Sequence, residues 1–244
     1  MPLQTVEPQR LYRQIAGQLR ALITAGEWAV GTRLPAERDL ARQLGVSRPS
    51  VREALIAMEV EGWVEVRTGS GVYVLDRSNR SKTGKTLQIS PDEWGPLELI
   101  RARRVVEGEV AAMAAVLAKR KHIEAMSKAI ALMTADADGG VLRVDNDHAF
   151  HTALVESCGN VVLIETVQRF WASRRGPLYE RMGEHFETIK SWRWAIDEHA
   201  AILDAIRNHD PDAARLAMHE HMDKAHTRFS VSWRQTKETK TQRA

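Results

Sequence analysis

The sequence of 244 residues holds a single cysteine, Cys158. One thiol cannot form an internal disulfide, so a packed core must hold the fold, and a reducing cytoplasm suits such a chain. The thiol itself reads as a small buried hydrophobe. No apolar run approaches the roughly 20 residues of a membrane span. Met1-Pro2-Leu3-Gln4 lacks the basic-then-apolar pattern of a signal peptide. A cytoplasmic protein with no membrane partner is therefore expected. Surplus charge is scarce too: the formal net charge is +3, which does not announce a nucleic-acid partner. The chain also contains no H-E-x-x-H string of the kind that gives a zinc hydrolase its general base. What the chain does have is 43% apolar residues, enough for a packed core and against wholesale disorder.

The placement of charge says more than its sum. Residues 1–76 carry nine Arg, no Lys and nine acids, yet Arg33 to Arg52 concentrates five Arg against Glu37 and Asp39. Arginine is the side chain whose planar fork suits phosphates and guanine edges. A polar, basic stretch at 77–90 then reads as a linker, and the polar residues 237–244 read as a tail. The expected organisation is a small domain over 1–76, the linker, and a second domain over 91–236.

In the first part, Leu11, Ile15, Leu19, Leu22 and Ile23 fall at helical spacing. Pro35 opens a second helix with Leu40, Ala41 and Leu44 as its stripe, and Gly45 stops it. Ser47 is placed to cap a third helix carrying Val51, Ala54, Leu55 and Met58. Two β-type runs, Trp63–Arg67 and Val72–Leu75, flank the turn Thr68-Gly69-Ser70-Gly71. Three helices with a tight turn between the last two, followed by a hairpin, predict a winged helix-turn-helix. Beyond residue 91 every periodic stretch is helical. The patterns predict six to seven helices in an antiparallel bundle, one of them running unbroken from about Pro177 to His209. The fold class is mainly α.

The string RLPAERDLARQLGVSRPSVREALIAMEVEGWVEVRTGSGVYV closely resembles the winged-helix signature of the GntR family of bacterial transcription regulators. ARRVVEGEVAAMAA at 102–115, DHAFHTALVESCGN at 147–160 and DEHAAILDAIRNHDPDAARLAMHEHM at 197–222 resemble the FCD-type effector domain of its FadR subfamily. DEWGPLELIRARRVVEGEVA and FWASRRGPLYERM are similar to regulators of hexuronate utilisation. The resemblance implies operator DNA as partner, contacted by Arg38, by Ser47, Arg48, Pro49, Ser50 and Arg52 at the start of the third helix, and by Thr68 and Gly69 at the wing tip. The physics of these side chains agrees for Arg48, whose place near a helix N-terminus lets it reach a guanine edge.

Asp147 and His151 are four apart and so share a helix face. His199 lies on the stripe of Ile202, Leu203 and Ile206. Spacing alone leaves these as ordinary polar or core residues. The family resemblance implies instead that Asp147, His151, His199 and His221 bind a divalent metal: Zn²⁺ first, with Ni²⁺ or Mn²⁺ as alternatives because a carboxylate and open positions suit them. It also implies a carboxylate-binding role for Arg103, with Trp171 and Arg174 lining the same pocket. The resulting expectation is a homodimeric repressor, not an enzyme, that senses a small carboxylate such as a hexuronate. Other hydroxy or keto acids, an acyl-chain ligand, a nucleoid-type DNA binder and a metal-dependent hydrolase are the competing readings.

Overall fold

A computed structural model of the chain describes residues 10–76, 88–90 and 92–230. These form ten α-helices and one two-stranded sheet, a mainly α protein as the sequence predicts. They divide into two compact units. The first runs through Leu97 and takes in Gly176–Met182; the second comprises Glu98–Arg175 and Gly183–Phe229. Residues 77–87 of the expected linker and the expected tail at 237–244 lie outside the described residues.

The first unit opens with α1 (Leu11–Thr24), α2 (Glu37–Leu44) and α3 (Arg48–Val60), followed by β1 (Val64–Arg67) and β2 (Gly71–Val74). Helix α1 buries Tyr12, Ile15, Ala16 and Leu19, whereas Leu11 and Leu22 of the expected stripe are each 41% exposed. Helix α2 stops where Gly45 turns left-handed at φ 66°, a conformation that suits a residue without Cβ. Ser47 then caps α3, its hydroxyl accepting the backbone N–H of Ser50 at 3.2 Å. β1 and β2 pair antiparallel with Val64 opposite Val74 and Arg67 opposite Gly71, and Arg33 bridges to Tyr73 on the far edge of β2. The result is a winged helix-turn-helix.

Helix α3 buries every residue from Val51 to Met58, Arg52 and Glu53 included. Arg52 donates through Nε (2.9 Å) and Nη2 (2.6 Å) to the two carboxylate oxygens of Glu37 at the start of α2. This fork joins the two helices of the DNA-reading motif from inside.

Two further carboxylates in this unit serve as helix caps. Helices α4 (Pro96–Leu117) and α8 (Pro177–Phe186) both begin with Gly-Pro-Leu. In each, proline occupies the first helical position, where its missing N–H is no loss. The leucine N–H is then bound by a glutamate: Leu97 donates to Glu53 Oε1 at 3.0 Å, and Leu178 donates to Glu93 Oε1 at 2.9 Å. Negative charge at a helix N-terminus is favoured by the helix dipole. The preceding glycines make room, because a Cβ at Gly95 would strike the Glu53 carboxylate and one at Gly176 would strike that of Glu93. Nearby, Arg181 of α8 makes a two-point contact with Glu59 of α3, at 2.9 Å on each oxygen. The segment ahead of α4 is tied to α1: Arg10 donates to the Asp92 carbonyl, Tyr12 to that of Glu93, and Arg13 to those of Ile89 and Ser90.

The second unit is built from most of α4, then α5 (Arg120–Asp138), α6 (Val144–Glu156), α7 (Val161–Ser173), α9 (Ile189–Arg207) and α10 (Pro211–Ser230), with the end of α8. Helix α5 packs on both α6 and α9, and α6 packs on α7. Met126, Met133, Phe150, Leu154, Ile202, Ile206 and Met218 form fully buried parts of the core. The unbroken helix expected from Pro177 to His209 is instead two helices, α8 and α9. The cause is a local capping box. Thr188 accepts the Ser191 N–H at 3.1 Å, and Ser191 Oγ accepts the Thr188 N–H at 2.9 Å. The two hydroxyls thus satisfy helix-end donors that an unbroken helix would not have.

Removing one partner of a buried ion pair strands the other. Arg52→Ala is therefore expected to lower the unfolding free energy of the full-length protein by about 3–5 kcal/mol in urea denaturation; a loss below about 1 kcal/mol, the size of an exposed pair, would contradict the burial described here.

Candidate functional site

The first unit offers a concave face between the start of α2, the start of α3 and the wing. It encloses a cavity of about 360 Å³ lined by Arg33, Arg38, Arg48, Gly69 and Ser70 among others. Of the residues expected to meet DNA, Arg38, Ser47, Arg48 and Gly69 are exposed, while Pro49, Ser50 and Thr68 are half-buried. Arg52 is placed differently: at 1% exposure and held by Glu37, it belongs to the interior and not to this face. The Ser47 and Ser50 hydroxyls also hydrogen-bond each other at 2.8 Å, so the serines set the helix start as well as facing outward. Gly69, with φ 76°, lets the wing turn tightly at its tip. Arg67 is turned back onto the wing, bound to Glu65 at 2.7 Å and lying over the Tyr73 ring.

In the second unit Asp147, His151, His199, His221, Arg103, Trp171 and Arg174 are all buried. Helix α6 supplies Asp147 and His151, α9 supplies His199, and α10 supplies His221. The three imidazoles each offer a nitrogen, and these atoms lie within 4.8 Å of one another. His151 Nε2 is 3.1 Å from His199 Nε2. Asp147 Oδ1 lies 3.1 Å from His199 Nε2 and 3.5 Å from His151 Nε2.

The outward-facing ring nitrogens explain this convergence. His151 Nδ1 lies 2.5 Å from Glu107 Oε2, His199 Nδ1 is 2.6 Å from the Ala195 carbonyl, and His221 Nδ1 is 2.8 Å from Glu198 Oε2. His199 Nδ1 and His221 Nδ1 each have an acceptor for a proton and His151 Nδ1 lies against a carboxylate, an arrangement that favours Nε2 as the lone-pair nitrogen of each ring. Lone pairs of His151 and His199 facing at 3.1 Å repel unless a cation or a proton lies between them. Asp147 Oδ1 is buried with no hydrogen-bond donor of its own. The donor set, three imidazoles and one carboxylate, is that of a first-row divalent metal. The residues fit the ion.

Charge around the site is finely opposed. Burial alone would push the Asp147 carboxyl up, but the Arg174 guanidinium, 2.8 Å from Oδ2, and the closeness of the His151 and His199 rings hold it well below the usual carboxylate range. Burial likewise opposes ionisation of Glu107; Arg103 and His151 outweigh it and bring the pKa to about 2. Burial lowers His199, against the pull of Asp147, and lowers His221 further still because His199 and His151 face it. Both rings are therefore neutral, the form that binds metal. Trp171 lies against both cations, its ring centroid 4.6 Å from the guanidinium carbon of Arg103 and 4.2 Å from that of Arg174, and His148 stacks on it at 4.8 Å.

Comparison with known proteins accounts for both units. Residues 11–74 match the family described as "Bacterial regulatory proteins, gntR family", and residues 98–224 match the FCD domain. The chain is 35% identical over 225 residues to the "Exu regulon transcriptional regulator" of Escherichia coli (strain K12), spanning 91% of this chain and 85% of that one. It is also 35% identical over 226 residues to the "Uxu operon transcriptional regulator" of the same strain, with 91% and 87% spanned. The "Putative L-lactate dehydrogenase operon regulatory protein" of that strain is 32% identical over 229 residues, with 91% and 87% spanned. The chain belongs to the GntR family, with an FCD domain. It is a DNA-binding transcriptional regulator and not an enzyme.

For this GntR regulator, sequence reasoning passed over three carboxylates that organise its sites. Glu37 holds Arg52, Glu107 holds both Arg103 and His151, and Glu198 joins His221 to Arg228. Only the Arg103–Glu107 pair carries a local signal, its spacing of four; Glu198 meets a histidine 23 residues away. A fourth, Glu187, has its carboxyl pushed up by burial with Arg174 pulling against it.

Two outcomes follow from these geometries. Arg48→Ala is expected to weaken binding to a specific operator duplex by about 1–3 kcal/mol and to change binding to random duplex less; an equal loss on both duplexes would remove the base-reading role of Arg48. The second concerns Glu107, whose pKa falls from 4.5 unfolded to about 2 folded. A depressed acid stabilises the fold above its unfolded pKa, and that contribution fades as pH falls toward the folded value. Metal-free wild type should thus lose about 3 kcal/mol through this group between pH 4.5 and 2. The double variant Arg103→Met/Glu107→Leu should show that much less acid dependence in urea titrations.

Proposed function

We propose that this regulator is a homodimeric repressor that holds operator DNA and releases it on binding a small sugar acid, a hexuronate first, at a metal centre formed by Asp147, His151, His199 and His221. The observation that carries the reading is the convergence of three imidazole nitrogens beside a buried carboxylate, with two guanidiniums against Trp171. Zn²⁺ suits the histidine-rich set, and Ni²⁺ or Mn²⁺ suits it with added oxygen ligands. The bound ion supplies Lewis-acid sites for carboxylate and hydroxyl oxygens. Arg103 and Arg174 supply positive charge that suits a carboxylate. The similarity to the Exu and Uxu regulators supports a hexuronate as the acid. A regulator of this kind works in the cytoplasm, and no helix among the described residues is long and apolar enough to cross a membrane.

The coupling to DNA is proposed to run through the helix starts. Arg103 lies on α4, six residues after Leu97, whose N–H is held by Glu53 of α3, the recognition helix of the DNA-reading motif. Arg174 lies four residues before Leu178, whose N–H is held by Glu93, and α8 continues to Arg181, which grips Glu59 of the same recognition helix. An acid drawn to Arg103 and Arg174 therefore acts on α4 and on the segment that leads into α8, and α3 binds both helices through Leu97 and Arg181. A dimer places two such heads on two half-sites, which gives the affinity that one head lacks.

Stabilisation by a ligand follows mass action. Metal-replete protein should melt several degrees higher with millimolar D-galacturonate or D-glucuronate, and His199→Ala should lose both the metal, by elemental analysis, and this shift. Wild type purified with divalent metal yet holding none would defeat the metal centre; a metal-bearing protein indifferent to sugar acids would defeat the effector assignment.

A further inference from the structure

Few buried side-chain polar atoms among the described residues lack a hydrogen-bond partner. The indole Nε1–H of Trp171 is one of them, in a side chain only 2% exposed. Tryptophan is a donor only, and for packing alone phenylalanine would present a similar face without stranding an N–H. The surroundings indicate what the donor awaits. The guanidiniums of Arg103 and Arg174 lie against the same ring, and His151 has its ring centroid 5.2 Å away. The carboxylates that balance these cations, Glu107 and Asp147, are bound to the arginines themselves. Once a divalent ion joins Arg103 and Arg174, positive charge outweighs Glu107 and Asp147. The indole N–H then sits where an anion is drawn and where the protein provides no acceptor.

Trp192 makes the contrast. Its Nε1 is also buried without a partner, but it packs in an apolar cluster with Met133, Ala137 and Ile196.

We propose that Trp171 Nε1–H donates a hydrogen bond to a carboxylate oxygen of the effector, and that Trp171 thereby sets the preference of the site for an acid over the matching neutral sugar. This rests on the sugar-acid reading above and adds a residue role to it. Trp171 contacts the ligand and not the metal, so its effect separates from that of the histidines.

The test is calorimetric titration of metal-replete, full-length protein with D-galacturonate, using D-galactose as the neutral probe. Wild type is expected to bind the acid and not the neutral sugar. Trp171→Phe should keep its metal content and fold while losing about tenfold in affinity for galacturonate. Wild-type affinity retained in Trp171→Phe overturns this proposal and leaves the sugar-acid reading standing. A wild type that binds neither galacturonate nor glucuronate overturns both. If Trp171→Phe does not fold, the wild type suffices: with ¹⁵N-labelled tryptophan, one of the seven indole N–H signals should move downfield on adding galacturonate. A spectrum in which none moves overturns the proposal.

Discussion

The sensor site turns on the ion pair between Asp147 and Arg174. Asp147 is buried among imidazoles, where an unpaired carboxyl would take up a proton. Arg174 keeps it ionised by holding Oδ2, which frees Oδ1 to face His151 and His199. Everything else at the centre builds on that charge. The imidazoles approach a carboxylate and not a carboxylic acid, and the guanidinium that fixes it also lies on Trp171. One contact thus connects a metal-type donor set to the cation-rich wall beside it.

The same economy of carboxylates recurs in the first unit. Glu37, Glu53, Glu59 and Glu93 face inward or along the helices and bind Arg52, the start of α4, Arg181 and the start of α8. Glu37, Glu53 and Glu59 are three of the nine acids that cancel the nine arginines of residues 1–76. Their carboxylates are taken up by arginines and helix starts within the unit. The arginines that remain outward, Arg33, Arg38 and Arg48, line the face between α2, α3 and the wing. Net charge is a poor guide to such a protein because the sum mixes buried and exposed groups.

Much of the fold was legible because it depends on short-range rules. Helical spacing, the Ser47 cap, the Gly45 stop and the turn at Thr68–Gly71 each act within a few residues, and the winged helix-turn-helix follows from them. The misreadings share a cause. Helices α8 and α9 looked continuous because nothing in the apolar pattern marks a break; the Thr188–Ser191 box that makes one lies in two small hydroxyl residues. Leu22 fits the helical stripe of α1 yet is exposed, because Tyr12 and Ala16 turn the buried face toward α3 instead.

The mainly α class and the DNA-reading motif can be read from local residue patterns, and the residue types of the sensor site from resemblance. What each charge does depends on how the helices pack. Arg48 and Arg52 are one helical turn apart and look alike in the sequence, but one is exposed and the other is locked to Glu37 from a different helix. Glu198 and Glu107 acquire their roles from histidines on other helices, at separations no local pattern encodes. The physical reason is common to both cases. The charge state and reach of a buried group are set by whatever the packing brings within about 3 Å, and packing is a property of the whole chain.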